Sequence, residues 1–378
     1  MKLHRFIAAA WTGSFCIFAA ACGGGGGSTA GMSQQSSSGL TDAALVSDGV
    51  VAAAHTDSNL QNPWGVAAAP GGPFWIADNN SNKSTLYDGT GAPQSLIVGI
   101  PAGSNGPANP TGQVYNGSSD FVLTTAAGSA PAQFIFSGEG GTIVGWSQTY
   151  SGTTASIAYD DGAGGAVYKG LALANNGTAN FLYATDLHNA KIDVFDTHFH
   201  KVTAPGGFSD STIPPGFAPF GIESFNNQLY VTYAKQDAAA HDEILGAGLG
   251  YVNVFDANGN LVKRFASAGA LNAPWGMALA PAGFGSYGGD LLIGNFGDGV
   301  INVFDPSSGN SLGAVALANG NKLTIPGLWA LVFGNGAANQ PAGTLFYTAG
   351  PNNQQDGVFG RVDVVTSSSP PPCTGYGC

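Results

Sequence analysis

The chain has 378 residues, and only 9% of them are charged, against roughly 25% in typical soluble domains. Glycine fills 59 positions, hydrophobic residues make up 44%, and the formal net charge is −12. So much apolar sequence excludes a disordered chain, and an acidic surface with no basic patch excludes nucleic acid as a partner, because phosphate backbones are held by Lys and Arg.

Residues 1–21 hold Lys2 and Arg5, then an apolar run from Phe6 to Ala21, the pattern of a secretory signal peptide. The run ends Ala19-Ala20-Ala21-Cys22 and continues into Gly23 to Gly27. That junction resembles a bacterial lipobox. The resemblance implies diacylation of Cys22, a Gly/Ser-rich tether over 22–42, and an outer-membrane lipoprotein of the cell envelope that meets the membrane only through its lipid. Residues 366–378 follow Val365 as a Ser- and Pro-rich tail outside the fold. Within it Cys373 and Cys378 are the candidate pair for a small disulfide loop in an oxidising compartment.

The residues between, 43–365, repeat one unit. It opens as NPWGVAAAP near Pro63 and returns near Thr111, Lys169, Pro219, Pro274 and Pro326. Each unit holds short apolar runs divided by Gly, Asn, Asp or Pro, with a spacing near 50 residues. Four strands per repeat at such a period mark propeller blades, so the fold class is all-β, a six-bladed β-propeller. The first run of each unit is continuously apolar and reads as an innermost strand buried on both faces. The third run alternates, as in Ile192-Asp193-Val194-Phe195, and reads as half-exposed. The second unit is the least regular, with the extra run DFVLTT. The sixth has only three runs, so the N-terminal stretch Ala43 to Ala53 is expected to pair beside Gly360 to Val365 and close the ring, removing an exposed edge.

Antiparallel strands fix which turns share a face. Turns between blades and turns from second to third strands lie together on one face; the remaining turns lie on the other. The second face is filled by Pro- and Gly-rich turns such as Pro70-Gly71-Gly72-Pro73. The first gathers functional groups: Asn62, Asn79, Glu139, Lys169, Asp186, His188, Lys235, Asp237, Asn295 and Asp298, with Trp64, Tyr168, Phe220, Trp275 and Trp329 beside them. These ten polar residues are the candidate ligand-binding set, in a mouth of the kind where ligands sit. Glu139, Asp186, Asp237, Asn295 and Asp298 are hard oxygen donors suited to Ca²⁺ and form the candidate metal set. A single Asp or Asn in such a turn also serves its own backbone. His188 beside Asp186 has the residue types for acid–base work. The sequence has no P-loop, HExxH, GxSxG or CxxCH motif, so no catalytic residue is assigned.

The strings NLQNPWGVAAAPGGPFWIADN (59–79), AVYKGLAL, FAPFGIES, GALNAPWGMALAPAGFG and DLLIGNFGDG closely resemble an uncharacterised family of bacterial secreted propeller proteins. The blades also resemble NHL repeats, with Pro-x-Gly, a strand ending Ala-Asp, and then Ile-x-Val-Phe-Asp. That wider group includes lactonases, which hold a divalent metal through a Glu at the first inner strand; here that strand begins Asn62-Pro63-Trp64, without a Glu. Two functions are therefore expected. The first is a non-enzymatic envelope protein that binds a small polar ligand or envelope component at the mouth. The alternative is a divalent-metal-assisted hydrolase or lyase on a small polar substrate.

Overall fold

The computed structural model describes residues 38–366, so Cys22, Cys373 and Cys378 lie outside the described residues. Six antiparallel sheets of four or five strands surround an axis, as the repeat predicts, and the protein is an all-β six-bladed propeller. Blade one runs through Pro63–Ala68, Phe74–Asp78, Lys83–Tyr87 and Val98–Gly99, and blade three through Tyr168–Asn175, Asn180–Asp186, Lys191–Phe195 and Lys201–Val202. In blade two the extra run becomes a separate hairpin, Val122–Thr125 with Gly128–Pro131, inserted between the first and second strands.

Blade six completes itself as expected. Ser38–Ser47 lies antiparallel to Val358–Thr366, with Val46 opposite Phe359 and Asp42 opposite Val362. The strand starts at Ser38, ahead of the expected Ala43, and stops at Ser47, so residues beyond it do not extend the ladder. Tyr347 Oη donates to Asp42 Oδ1 at 2.8 Å and fastens the closing strand to the blade. Burial is the main influence on that Asp42 carboxyl and raises it above the usual range. Since Ser38 pairs with Thr366, both ends of the described chain leave from the face where first strands finish.

The core consists of packing between blades. Five of the first strands carry a glycine where they approach the next blade. A Cβ on Gly112 would lie 2.4 Å from Leu171 N, and one on Gly221 would lie 2.2 Å from Trp275 O. Only Gly lets neighbouring inner strands come so close. Threonines of the second strands bridge the same seam: Thr185 Oγ1 accepts Gly170 N at 2.7 Å and donates to Phe220 O at 2.6 Å. Thr348 Oγ1 likewise accepts Ala330 N at 3.0 Å and donates to Trp64 O at 2.5 Å, joining blade six to blade one.

The third strands correct one expectation. They are mostly buried, and it is the fourth strands that face solvent. Their alternation records polar side chains buried with partners rather than exposure. Asp193 accepts from Tyr168 Oη at 2.9 Å, and Asn253 donates to Asp210 at 3.1 Å. A buried polar group is tolerated once hydrogen-bonded.

Candidate binding site at the channel mouth

The first strands begin at one face, and the second-to-third turns return to it: Pro63 lies opposite Asp78 in blade one, and Leu328 opposite Ala349 in blade six. Asn62, just before the first strand of blade one, has a left-handed φ of 46°, which Asn tolerates better than most residues. Its Oδ1 accepts Trp329 Nε1 at 3.1 Å, and its Nδ2 donates to Gln354 Oε1 at 3.2 Å and Asn79 Oδ1 at 3.4 Å. Asn79 Nδ2 donates to Glu139 Oε2 at 3.0 Å. The other oxygen of Glu139 receives the Lys169 ammonium, which also donates to Asp242 Oδ1 at 3.2 Å. One continuous network thus runs from blade six through blades one, two and three to blade four.

Lys169 is fully buried, and its Nζ lies 5.2 Å from the centre of the Trp64 ring. Burial works against the ammonium, but Glu139, Glu243 and Asp242 outweigh it and raise the group above its ordinary value. Glu243 is pushed up to about 7 by burial, with Lys169 pulling the other way. Its Oε2 is buried and has no hydrogen-bond partner among the described residues. Asp242 is held below the usual range: burial opposes this, and Lys169 and His241 overcome it. His241 Nδ1 is 3.1 Å from Asp242 Oδ1. Glu139, His241 and Asp242 each offer a ligand atom within 4.8 Å of the others.

Beneath this polar layer the channel is plugged by aromatics from four blades. Trp64 stacks on Trp329 at 3.4 Å, and Phe296 stacks on the same Trp329 at 4.1 Å. Trp275 meets Trp64 edge-on at 5.8 Å, and Phe220 packs alongside. Below the plug lies a cavity of about 40 Å³ lined by Gln113 and Glu223. Both amide atoms of Gln113 are buried without a partner. Glu223 keeps surface facing the channel, yet enclosure by the blades raises its carboxyl to about 7.

Of the ten expected residues, the structure brings together Asn62, Asn79, Glu139 and Lys169. The others serve elsewhere. Asp186 is buried and accepts Val167 N at 3.1 Å, Asn189 N at 3.2 Å and Asn189 Nδ2 at 2.8 Å. Asn295 accepts Asn272 N at 3.1 Å and donates to Ala270 O at 2.8 Å and Asp298 Oδ1 at 3.1 Å. Asp298 also accepts Val300 N at 3.2 Å, and Asp237 accepts His241 N at 2.9 Å. The His188 ring is exposed and makes no hydrogen bond to Asp186 among the described residues, so the pair has no acid–base geometry. Lys235 Nζ lies 5.3 Å from the centre of the Phe217 ring. Of the expected metal set only Glu139 belongs to the potential ligand group; Asp186, Asp237, Asn295 and Asp298 are bound into their own turns. Tyr168 donates to Asp193 of its own blade instead of lining the mouth. Sequence reasoning missed His241, Asp242, Glu243 and Gln354, all in second-to-third connections.

No protein-family model matches the chain. It is 33% identical over 327 residues to uncharacterized protein L690 of Acanthamoeba polyphaga mimivirus, covering 84% of each sequence. It is 32% identical over 324 residues to uncharacterized protein R648 of the same virus, covering 84% of this chain and 78% of that one. These relatives are viral, whereas the resemblance in the sequence implied a bacterial family. Among solved structures, a protein of unknown function from Bacteroides thetaiotaomicron superposes with a TM-score of 0.53 at 12% identity, covering 87% of this chain and 76% of that one. A catalytically inactive virginiamycin B lyase from Staphylococcus aureus with quinupristin gives 0.50 at 13% identity, covering 87% of this chain and 100% of that one. At such identities the likeness is one of fold alone.

Proposed function

The chain belongs to the family of the mimivirus proteins L690 and R648, and within that family we propose that it is a non-enzymatic protein that binds a small polar ligand or partner at the channel mouth. One observation carries this reading: five blades contribute to a single hydrogen-bonded network through Gln354, Asn62, Asn79, Glu139, Lys169 and Asp242, laid over an aromatic plug. The plug closes the channel beneath the network, and polar groups fixed by packing are preorganised for recognition. The test is a thermal-shift and surface-plasmon screen of sugars, peptides, small organic ions and envelope polysaccharides. A stabilising ligand is expected; a full panel without one removes the reading.

As part of the same proposal, the protein is bacterial, exported, and tethered to the envelope through Cys22. The support is the signal-like and lipobox-like N-terminus, together with a fold that starts at Ser38 on the face opposite the mouth. Palmitate labelling that depends on Cys22 tests the anchor.

A second reading, metal-assisted hydrolysis or elimination, is favoured by Glu139, His241 and Asp242. Two carboxylates and an imidazole are a donor set suited to Zn²⁺ rather than to Ca²⁺, which takes oxygen ligands. Both carboxylates already hold the Lys169 ammonium, which a metal would have to displace or tolerate. Elemental analysis of protein purified without chelator tests it: no stoichiometric metal removes this reading and leaves the first.

A further inference from the structure

We infer that the ligand of the mouth is a small organic cation, a primary ammonium group carried on an apolar body. The inference rests on the binding reading above and names the ligand class for that site.

The charge balance comes first. The carboxylates of Glu139, Asp242 and Glu243 face a single ammonium, that of Lys169. Glu139 and Asp242 alone outnumber it, so the cluster keeps an excess of negative charge. It lies over low-dielectric aromatic walls, which strengthen its pull on a cation. The acceptors are also unfilled. Glu243 Oε2 is buried without a donor, and the Asp242 side chain is 61% exposed. A carboxylate oxygen can accept more than one hydrogen bond, so Asp242 can serve Lys169 and a ligand together.

Lys169 itself shows that ammonium chemistry fits here. Its Nζ is bound by two carboxylates and lies near the face of an indole, fully out of solvent. A second ammonium adds hydrogen bonds to the spare lone pairs. A metal ion held by Glu139, His241 and Asp242 would sit beside the Lys169 ammonium, whose like charge opposes it.

The apolar part of the ligand has its own surface. Leu245, two positions after Glu243, is 48% exposed. Its loop is held against blade five by Gly246 N donating to Asn272 Oδ1 at 2.7 Å. The next turn of blade five presents Phe296, half-buried, as the outer ring of the Phe296–Trp329–Trp64 stack. A carboxylate cluster edged by aliphatic and aromatic side chains matches a cation with an apolar body better than a sugar or an anion.

The test is calorimetric titration of the protein with 2-phenylethylammonium, and with 2-phenylethanol and phenylacetate as its neutral and anionic counterparts. The ammonium is expected to bind at least about tenfold more tightly than the alcohol, and phenylacetate not at all. Asp242→Asn, where Glu139 still holds Lys169, should lower the melting temperature a little without unfolding the protein and weaken the ammonium about tenfold. Asp298→Asn, in a blade-five turn, should leave it unchanged. Equal binding of ammonium and alcohol overturns the inference, as does indifference to Asp242→Asn or uptake of Ca²⁺ in place of the ammonium. If phenylacetate or a sugar binds and loses affinity in Asp242→Asn, the ammonium class falls while the mouth remains a binding site. If neither these probes nor the wider panel bind, both fall.

Discussion

Lys169 in the first strand of blade three gives its ammonium to Glu139, in the second-to-third turn of blade two, with none of its side chain in solvent. A buried pair owes its net stability to mutual compensation, so losing one member strands the other charge. Lys169→Met should therefore cost about 3–5 kcal/mol in denaturant unfolding. The double variant Lys169→Met/Glu139→Gln should recover part of that loss. A double variant no more stable than the single one contradicts the pairing.

The seam between blades makes a steric prediction. Gly221→Ala places its Cβ against Trp275 O, at the backbone of blade five, and neither strand has room to yield. A loss of about 2 kcal/mol or more is expected by thermal unfolding. Gly71→Ala, at a φ of 78° with nothing within 4 Å, carries only local backbone strain and should cost about 1 kcal/mol.

Asp78 and Asp186 end the second strands of blades one and three, and both are fully buried. Asp186 is served by three donors; Asp78 has none in hydrogen-bonding geometry among the described residues, and burial, against the weaker pull of nearby Thr85, raises it well above the usual carboxyl range. Blade five has Asn295 at this position. Asp78→Asn should thus leave stability at pH 8 equal or higher, whereas Asp186→Asn should lower it by about 1–3 kcal/mol, since an amide group turned toward those donors cannot accept all three bonds. Equal losses in the two variants would contradict the assignment.

Glu223 gives a pH prediction. Its carboxyl is raised from 4.5 to about 7 in the folded protein, so between these values the folded state holds more protons than the unfolded one. Stability from this group accordingly falls as pH rises from about 4.5 to about 7, and levels off above. Glu243 behaves in the same direction in the same window. Glu223→Gln should raise the melting temperature relative to the parent at pH 8, with the advantage vanishing near pH 4.5. A variant that is less stable at pH 8 would place a favourable partner on the ionised carboxylate.

The ring was legible because five of the six inner strands share one local solution, a turn residue, often a proline, and a glycine at the close approach, as in Pro63-Trp64-Gly65 and Pro274-Trp275-Gly276. The face carrying Asn62, Asn79, Glu139 and Lys169 followed from strand direction alone. The third strands misled because Asp193 and Asn253 look like solvent-facing residues until their partners are known: Tyr168 in the same blade, and Asp210 in the connection from blade three to blade four. Asp186, Asn295 and Asp298 share composition with a metal site, but turn geometry claims their oxygens first. His241, Asp242 and Glu243 escaped notice because the connection that holds them, between Gln236 and Gly250, has no counterpart in the repeat. The triplet His-Asp-Glu inside a longer loop was the available signal.

The central claim is that ligand binding belongs to the polar layer joined through Lys169. It is tested most directly by titrating any ligand found in the screen into the parent protein and into Asp242→Asn, at matched pH and salt. The account predicts a loss of affinity of about tenfold or more in the variant, with the fold intact by thermal unfolding. Unchanged affinity in a folded Asp242→Asn would contradict it.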